Sequence, residues 1–471
     1  MAFLPYYLSA INKGPCSSFC STITSTYGGG GDTNDDRKRL KNYSKTENCD
    51  YGRVLPEQIM IVIANKLDFV SFHRFSAVCK SWQSAAKNLR LHHHFLHKPQ
   101  QLPWLMLSSS ESEFHYHNRG GCRLHHYHHY HGFYSLFHAK AFRLQLPQLY
   151  GARCCGSNWG WLIMVEVVGN NNMTSNIPFL LNPFTRVRIQ LPLQSTLPPP
   201  TIIIRTRREG LAPEQSSPNY IRRAMLLSPP SAANNLDGDC LVVAIFNTHS
   251  LAFCRAGDRA WTPIAIAIAI KNRRTGKYFE DIIFYDGKLY AITLNYDRIL
   301  VELVPHPKET SCNIAPPAAA EEEEEKDHHN YPKSVYLVEC VGELLMVIKW
   351  GIFVWGSEIP ETNKLKIFKL DLQDRCWIKV EDLGDQMLFI GTNTGFSVSA
   401  ALVDHRLFKG NCIYFIDEYY SHLTRGILFG DNATHELGVF HLKDNRCEKS
   451  YLLDYSRSSL SPPIWLTLIS W

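Results

Sequence analysis

The sequence has no run of about 18 apolar residues, so nothing in it reads as a membrane span. Its 14 cysteines contain no C-x-x-C pair, and the neighbours Cys154 and Cys155 cannot bridge each other without strain. Scattered free cysteines are commonly buried as small hydrophobes, and this usage fits a reducing compartment, the cytoplasm or the nucleus. A strong charge of either sign is also lacking: a net +5 over 471 residues demands no nucleic-acid partner. The opening MAFLPYYLSAI is apolar but short, holds Pro5 and has no basic lead, so it is a poor signal peptide.

Catalytic signatures are missing too. There is no G-x-S-x-G elbow and no H-E-x-x-H pair. The stretch Arg273 to Tyr278 fails as a phosphate loop, because Lys271 stands at its leading Gly and Tyr278 replaces Ser or Thr. Twelve of the 21 histidines lie between His92 and His138, including HHYHHYH at 125–131. Metal sites need fixed geometry and usually Cys or carboxylate partners, so this reads as a biased surface loop. No cofactor and no metal are expected. The aromatic content of 12% comes without a basic stripe, which favours a packed core over a base-stacking platform.

What is present falls into zones. Residues 1–50 are rich in Ser, Thr, Gly and Asn and are expected to form a flexible tail with a basic patch at Arg37–Lys41. Sequons stand at Asn42, Asn172 and Asn432, a short motif that arises by chance. The expected plan continues with a helical unit at 51–90, a linker at 91–102 and a β domain at 103–471. A low-complexity acidic insertion at 316–330 interrupts that domain, where like charges repel and keep the loop solvated.

The helical unit has its own logic. Leu55, Ile59, Val62, Ile63 and Leu67 recur at helical spacing and paint an apolar stripe. Pro56 suits a first turn, where its missing N–H costs nothing. Asp68 and Ser71 are placed to cap a second helix through Phe72, Phe75 and Val78, and a third runs from Cys79 to Lys87 with Trp82. Three helices this short bury little, and an apolar stripe that stays exposed marks a partner surface. The order Leu55-Pro56, Ile59, Ile63, Leu67, Phe75, Val78-Cys79-Lys80, Trp82 resembles an F-box. That resemblance implies docking to the Skp-type adaptor of a cullin–RING ubiquitin ligase core, through Leu55, Pro56, Ile59, Ile63, Val78, Cys79, Lys80 and Trp82.

The remainder reads as short strands and turns. Phe284–Tyr290 folds at Asp286-Gly287, Val335–Ile348 at Val341-Gly342, and Phe408–Asn411 leading into Cys412–Ile416 reads the same way. A weak repeat of strand, turn and Asp-Arg-x-Trp recurs around Asn182, Asp258, Asp374 and Asp444, at gaps of 76, 116 and 70 residues. Taken as two, three and two multiples of about 38 residues, these gaps predict a closed radial array of about seven blades, six or eight being allowed. PWLML (103–107), FYSLF (133–137), CCGSNWGWLIM (154–164), LLNPFTRVRIQLP (180–192), FSVSA (396–400), GNCIYFIDE (410–418) and PPIW (462–465) resemble the plant F-box-associated domain of unknown function 295. That family is read as a KIB-type β-propeller. The fold expected is therefore mainly β: a three-helix F-box followed by a kelch-like β-propeller whose last strand, within Pro462–Leu468, closes against Trp104–Leu107.

The implied function is substrate recognition for a Skp–cullin–F-box ubiquitin ligase, the F-box holding the adaptor and the propeller an unidentified target protein. Such a chain is not itself an enzyme, and neither nucleic acid nor membrane is expected as a partner. An alternative carried by the same resemblance is direct inhibition of a signalling kinase by the propeller, independent of the ligase. An enzyme working in the propeller's central channel would need convergent acidic or His side chains there.

Overall fold

The computed structural model describes residues 55–91, 102–107, 130–149, 151–170, 173–198, 221–230, 240–246, 250–264, 279–293, 298–302, 308–311, 331–352, 361–403, 408–418, 435–449 and 463–468. The tail and its basic patch, the linker between Leu91 and Leu102, the sequons and the acidic insertion lie outside those residues, as does the His- and Tyr-rich loop up to His129. The chain divides into two compact units, one built by helices and the other by the strands between 102 and 468. Among the described residues no helix is long and apolar enough to cross a membrane.

The helices are α1 (Glu57–Lys66), α2 (Phe69–Ser76) and α3 (Lys80–Leu91). As expected, Asp68 is the N-cap of α2: its Oδ1 accepts the Ser71 N–H at 3.0 Å, and the Ser71 hydroxyl donates to Oδ2 at 2.6 Å. Two boundaries differ from the reading of the sequence. Helix α2 stops before Val78, and α3 runs four residues past Lys87.

Among the described residues the strands make five hydrogen-bonded sheets. The first joins the two ends of the strand unit, β1 (Trp104–Met106), β2 (Tyr130–Ser135) and β3 (Lys140–Gln145) with the last strand, β25 (Ile464–Leu466). The second holds β4 (Ala152–Asn158), β5 (Trp161–Asn170), β6 (Met173–Leu181) and β7 (Arg188–Gln190). The third holds β8 (Ile221–Leu226), β9 (Leu241–Phe246), β10 (Ser250–Arg255) and β11 (Thr262–Ile264). The fourth holds β12 (Phe279–Tyr285), β13 (Lys288–Thr293), β14 (Arg298–Glu302) and β15 (Lys308–Ser311).

The fifth is a nine-stranded sheet. Its first part is the meander β16 (Tyr331–Cys340), β17 (Glu343–Ile352), β18 (Glu361–Asp371) and β19 (Cys376–Val380). Its second part is β20 (Gln386–Ile390), β21 (Gly395–Ser399), β22 (Cys412–Glu418), β23 (His435–His441) and β24 (Arg446–Lys449). A short parallel pairing of β16 with β21, Val338 opposite Gly395, joins the two parts.

The innermost strands of successive sheets stand side by side: β25 by β4, β4 by β8, β8 by β12 and β12 by β16. They run in the same direction, because their ends meet. Asn158 at the end of β4 exchanges two hydrogen bonds with the Leu226 backbone at the end of β8, at 2.6 and 3.0 Å. Beyond β25, the Thr467 hydroxyl accepts the Gly160 N–H at 3.2 Å. The ring closes where the Trp465 indole donates to the Ile390 carbonyl at 3.2 Å and stacks edge-on to Phe389. Strand β25 pairs with β1, Leu105 opposite Trp465, which is the closure expected from the sequence. Between β4 and β8 the approach is so close that a Cβ on Gly156 would stand 1.9 Å from the Ala224 carbonyl oxygen.

Counted over the described residues, the strands form six such sets, the sixth carrying one extra strand, β20, where turn spacing predicts about seven. The turn markers are real. Asn182, Asp258, Asp374 and Asp444 each sit in the last hairpin of a set. Their period is longer than about 38 residues, because the 76-residue gap spans one step around the ring and the 116-residue gap two. Long connections such as 199–220 and 265–278 stretch the spacing. The Asp286-Gly287 and Val341-Gly342 hairpins form as expected. The one expected after Phe408 does not: β22 follows a 3-10 turn at Ala400–Leu402 and lies parallel to β20.

Packing between neighbouring sheets makes the core. Ile283, Tyr290 and Ile292 of the fourth sheet pack with Leu344, Met346 and Trp350 of the fifth, and equivalent apolar layers fill other gaps. Each such side chain contributes about 1.5–3 kcal/mol when fully buried. A charge pair sits among them. Arg223 of β8 and Asp281 of β12 meet at 2.5 Å, both buried. Arg223 also donates to the carbonyls of Gly391 and Asn393, while Asp281 accepts the Ile282 and Leu337 N–H groups at 2.8 and 2.9 Å. Burial pushes the Asp281 carboxyl up, and the Arg223 guanidinium and those two N–H groups oppose the rise. The segment after β20 thus bolts onto the inner strands, and Thr394 N–H adds a bond to the Ser157 carbonyl.

Candidate functional site

The helical unit folds around a small core of Met60, Ala64, Phe72, Phe75, Ala85 and Ala86. The sequence EQIMIVIANK gives α1 apolar residues on nearly every side, so one helix serves two faces. Met60 and Ala64, outside the expected stripe, are its deepest residues, and the stripe itself splits. Leu55, Ile63 and Leu67 are half-buried against the core. Ile59 and Val62 point away from it, 46% and 53% exposed, with Pro56 exposed three residues before Ile59. Pro56 is the N-cap of α1, and its carbonyl accepts the N–H groups of Ile59 and Met60 at 3.0 and 3.2 Å.

The corner between α2 and α3 adds to the exposed surface. Val78 is 56% exposed, its backbone held by a hydrogen bond from its N–H to the Phe75 carbonyl at 3.2 Å. Lys80 is exposed, and Cys79 is half-buried with its carbonyl accepting the Gln83 N–H that starts α3. Trp82 has a different place: half-buried, it packs its ring on Phe75 at 4.4 Å. Of the eight residues singled out from the sequence, Pro56, Ile59, Val78 and Lys80 thus lie at the surface. Leu55, Ile63 and Trp82 shape the core beneath them. Val62 belongs with the exposed group and was not among the eight; its signal was an apolar residue in excess of what one buried stripe uses.

A reactive-looking cluster occurs in the strand unit. Cys412 Sγ lies 3.2 Å from His441 Nδ1, and His441 Nε2 lies 3.4 Å from Glu448 Oε2. The order thiol, imidazole, carboxylate resembles a nucleophilic triad, but Cys412 is buried, and burial pushes its thiol up to about 11. A thiol held neutral and out of reach acts here as packing. Among the described residues no three His, Cys, Asp or Glu side chains come together as a metal site.

Known families match both units. The profile of the KIB1-4 beta-propeller covers residues 133–441, well over half of the chain. The chain belongs to the KIB1-4 β-propeller family. Its helical unit matches the F-box domain over residues 54–94. Similar proteins from Arabidopsis thaliana include the F-box protein At2g17036, 26% identical over 49% of this chain and 54% of that protein. The F-box protein SKIP23 is 26% identical over 49% of this chain and 55% of that protein. The F-box protein At3g56470 is 26% identical over 77% and 82%. The chain thus spans about half the length of the first two of these relatives. Among solved structures, the N-terminal domain of Nup159 aligns with a TM-score of 0.27 at 8% identity over 70% of this chain and 73% of that one, a likeness too low to carry an argument. This KIB1-4 propeller therefore joins an F-box to a strand unit closed end to end.

Proposed function

We propose that the protein is a substrate-recognition subunit of a Skp–cullin–F-box ubiquitin ligase, its F-box docking the Skp-type adaptor and its propeller binding a target protein. The observation that carries this reading is the exposure of the apolar side chains of Pro56, Ile59, Val62 and Val78 on a helical unit whose core forms without them. Interfaces draw most of their energy from a few such anchors. Leu55, Ile63 and Trp82 support the surface from below, and Cys79 and Lys80 border it. Holding ligase and target on one chain raises the effective concentration of target lysines, so the chain makes and breaks no bonds itself. Residence in the cytoplasm or nucleus belongs to the same reading, supported by the free thiols of the nine described cysteines.

The test is co-purification of the full chain with a recombinant Skp-type adaptor. Ile59→Asp with Val78→Asp is expected to abolish recovery while circular dichroism stays that of wild type. Recovery equal to wild type would sink the assignment.

A further inference from the structure

Because the inner strands run parallel and each set is a meander once the inserted β20 is set aside, the turns after its first and third strands all emerge on one face of the ring. Among the described residues, that face holds six of the eight exposed large apolar side chains of the strand unit: Phe137, Trp159, Val187, Val341, Leu372 and Leu402. Only Leu193 and Ile378 lie elsewhere. Two of the six stand in the left-handed backbone region, Trp159 at φ +56° and Val341 at φ +52°, the latter 75% exposed. A Val there is an outlier, since Gly, Asn or Asp makes the same turn without crowding. No buried packing explains side chains kept at such positions.

The charges of these hairpins are uneven. Several carboxylates are committed to the fold. Asp258 accepts the Arg255 N–H at 2.7 Å, Asp371 accepts the Gln373 and Asp374 N–H groups, and Glu343 pairs with Lys369. Among the described hairpin residues, the exposed cations outside any ion pair are Lys140, Arg186, Arg255, Arg259, Lys288, Arg375 and Lys443. The corresponding carboxylates are Asp258, Asp286, Asp374 and Asp444. Three of the arginines, Arg186, Arg259 and Arg375, come from three different sets, so the excess is spread across the face.

We infer that this turn face is the target-binding surface of the propeller and that it takes an acidic peptide segment carrying aromatic or aliphatic anchors. The apolar tips supply contact area, and the unpaired guanidinium groups supply bidentate partners for Asp and Glu. A nucleic acid would meet the charges but leave Phe137, Val341 and Leu402 without partners. The inference rests on the reading of the propeller as the target-binding half.

The test selects binders to the purified full chain from a displayed library of random 12-residue peptides and measures the best of them by fluorescence anisotropy. Selected peptides are expected to combine Asp or Glu with Trp, Phe or Leu. Trp159→Asn with Val341→Asn, which suit a left-handed backbone and keep the turns, should weaken binding by about tenfold or more. Arg186→Glu with Arg375→Glu should do the same and flatten the salt dependence. Neutral or basic peptides, or affinities unchanged in both variants, would overturn the assignment. So would competition by a 20-nucleotide single strand of DNA as strong as by the peptide itself. A concentration-dependent dimer lost in the Asn variant would give the face to a second copy instead. Adaptor recovery should be unaffected in every variant. If peptides bind as expected while wild type recovers no adaptor, the ligase reading fails and the binding face stands.

Discussion

The two units of this protein place their costly groups in opposite ways. The helical unit carries grease on the outside: Ile59, Val62 and Val78 face solvent over a core of Met60, three alanines and two phenylalanines. The strand unit carries charge on the inside, with Arg223 and Asp281 sealed among the inner strands. Exposed apolar surface earns nothing from folding, so its value lies in a partner. A buried charge pair is weak in net stability but very costly to break, so its value lies in fixing how the strands meet. The helical unit thus shows its contrast at the surface, in apolar side chains that its own core does not use. The strand unit shows it among the inner strands, its exposed apolar tips lying apart on the turn face.

The comparison breaks first at the buried pair. Asp281→Asn leaves the Arg223 guanidinium buried without a counter-charge and is expected to cost about 3–5 kcal/mol, read by urea unfolding of the full chain. A loss below about 1 kcal/mol would mean that the pair does not hold the inner strands together. Trp465→Ala removes the ring's closing side chain and its bond to Ile390, with an expected loss of about 3 kcal/mol. That effect should appear as earlier proteolysis within and beside β25 and β1 than in the rest of the unit. Equal cleavage rates in variant and wild type would show that closure does not depend on Trp465.

On the helical side the effects are smaller. Asp68→Ala removes the α2 cap and should cost about 1 kcal/mol, measured by loss of helical circular dichroism on heating. Ile59→Ser with Val62→Ser should change stability by less than about 0.5 kcal/mol while removing most adaptor binding. If that pair unfolded the helices, the contrast between a partner-facing surface and a self-sufficient core would be gone.

Much of this was legible in one dimension. Helical spacing and the Asp68 cap are local, and so are the Asp286-Gly287 and Val341-Gly342 turns, because neighbours along the chain set both. The family resemblance rested on short ordered motifs, and closure of Ile464–Leu466 on Trp104–Met106 followed from it. Where the reading missed, the missing information was long-range. Nothing near Trp82 says that its ring turns inward to Phe75, or that Met60 lies deeper than Ile59 in a helix apolar all round. The blade period was misjudged because a turn marker records how far the chain has run, including loops, and not how far it has moved around the ring.

The sequence by itself determined a helical and a strand unit, the Asp286-Gly287 and Val341-Gly342 hairpins and the presence of an F-box, since each depends on periodicity and motif within tens of residues. Tertiary structure alone decided that Arg223 meets Asp281, that β20 is an added strand beside β22, and that six apolar tips share one face. Those facts come from residues as far apart as Phe137 and Leu402, and only the common direction of the inner strands brings them together. Backbone pairing carries that direction around the ring, and no stretch of neighbouring residues encodes it.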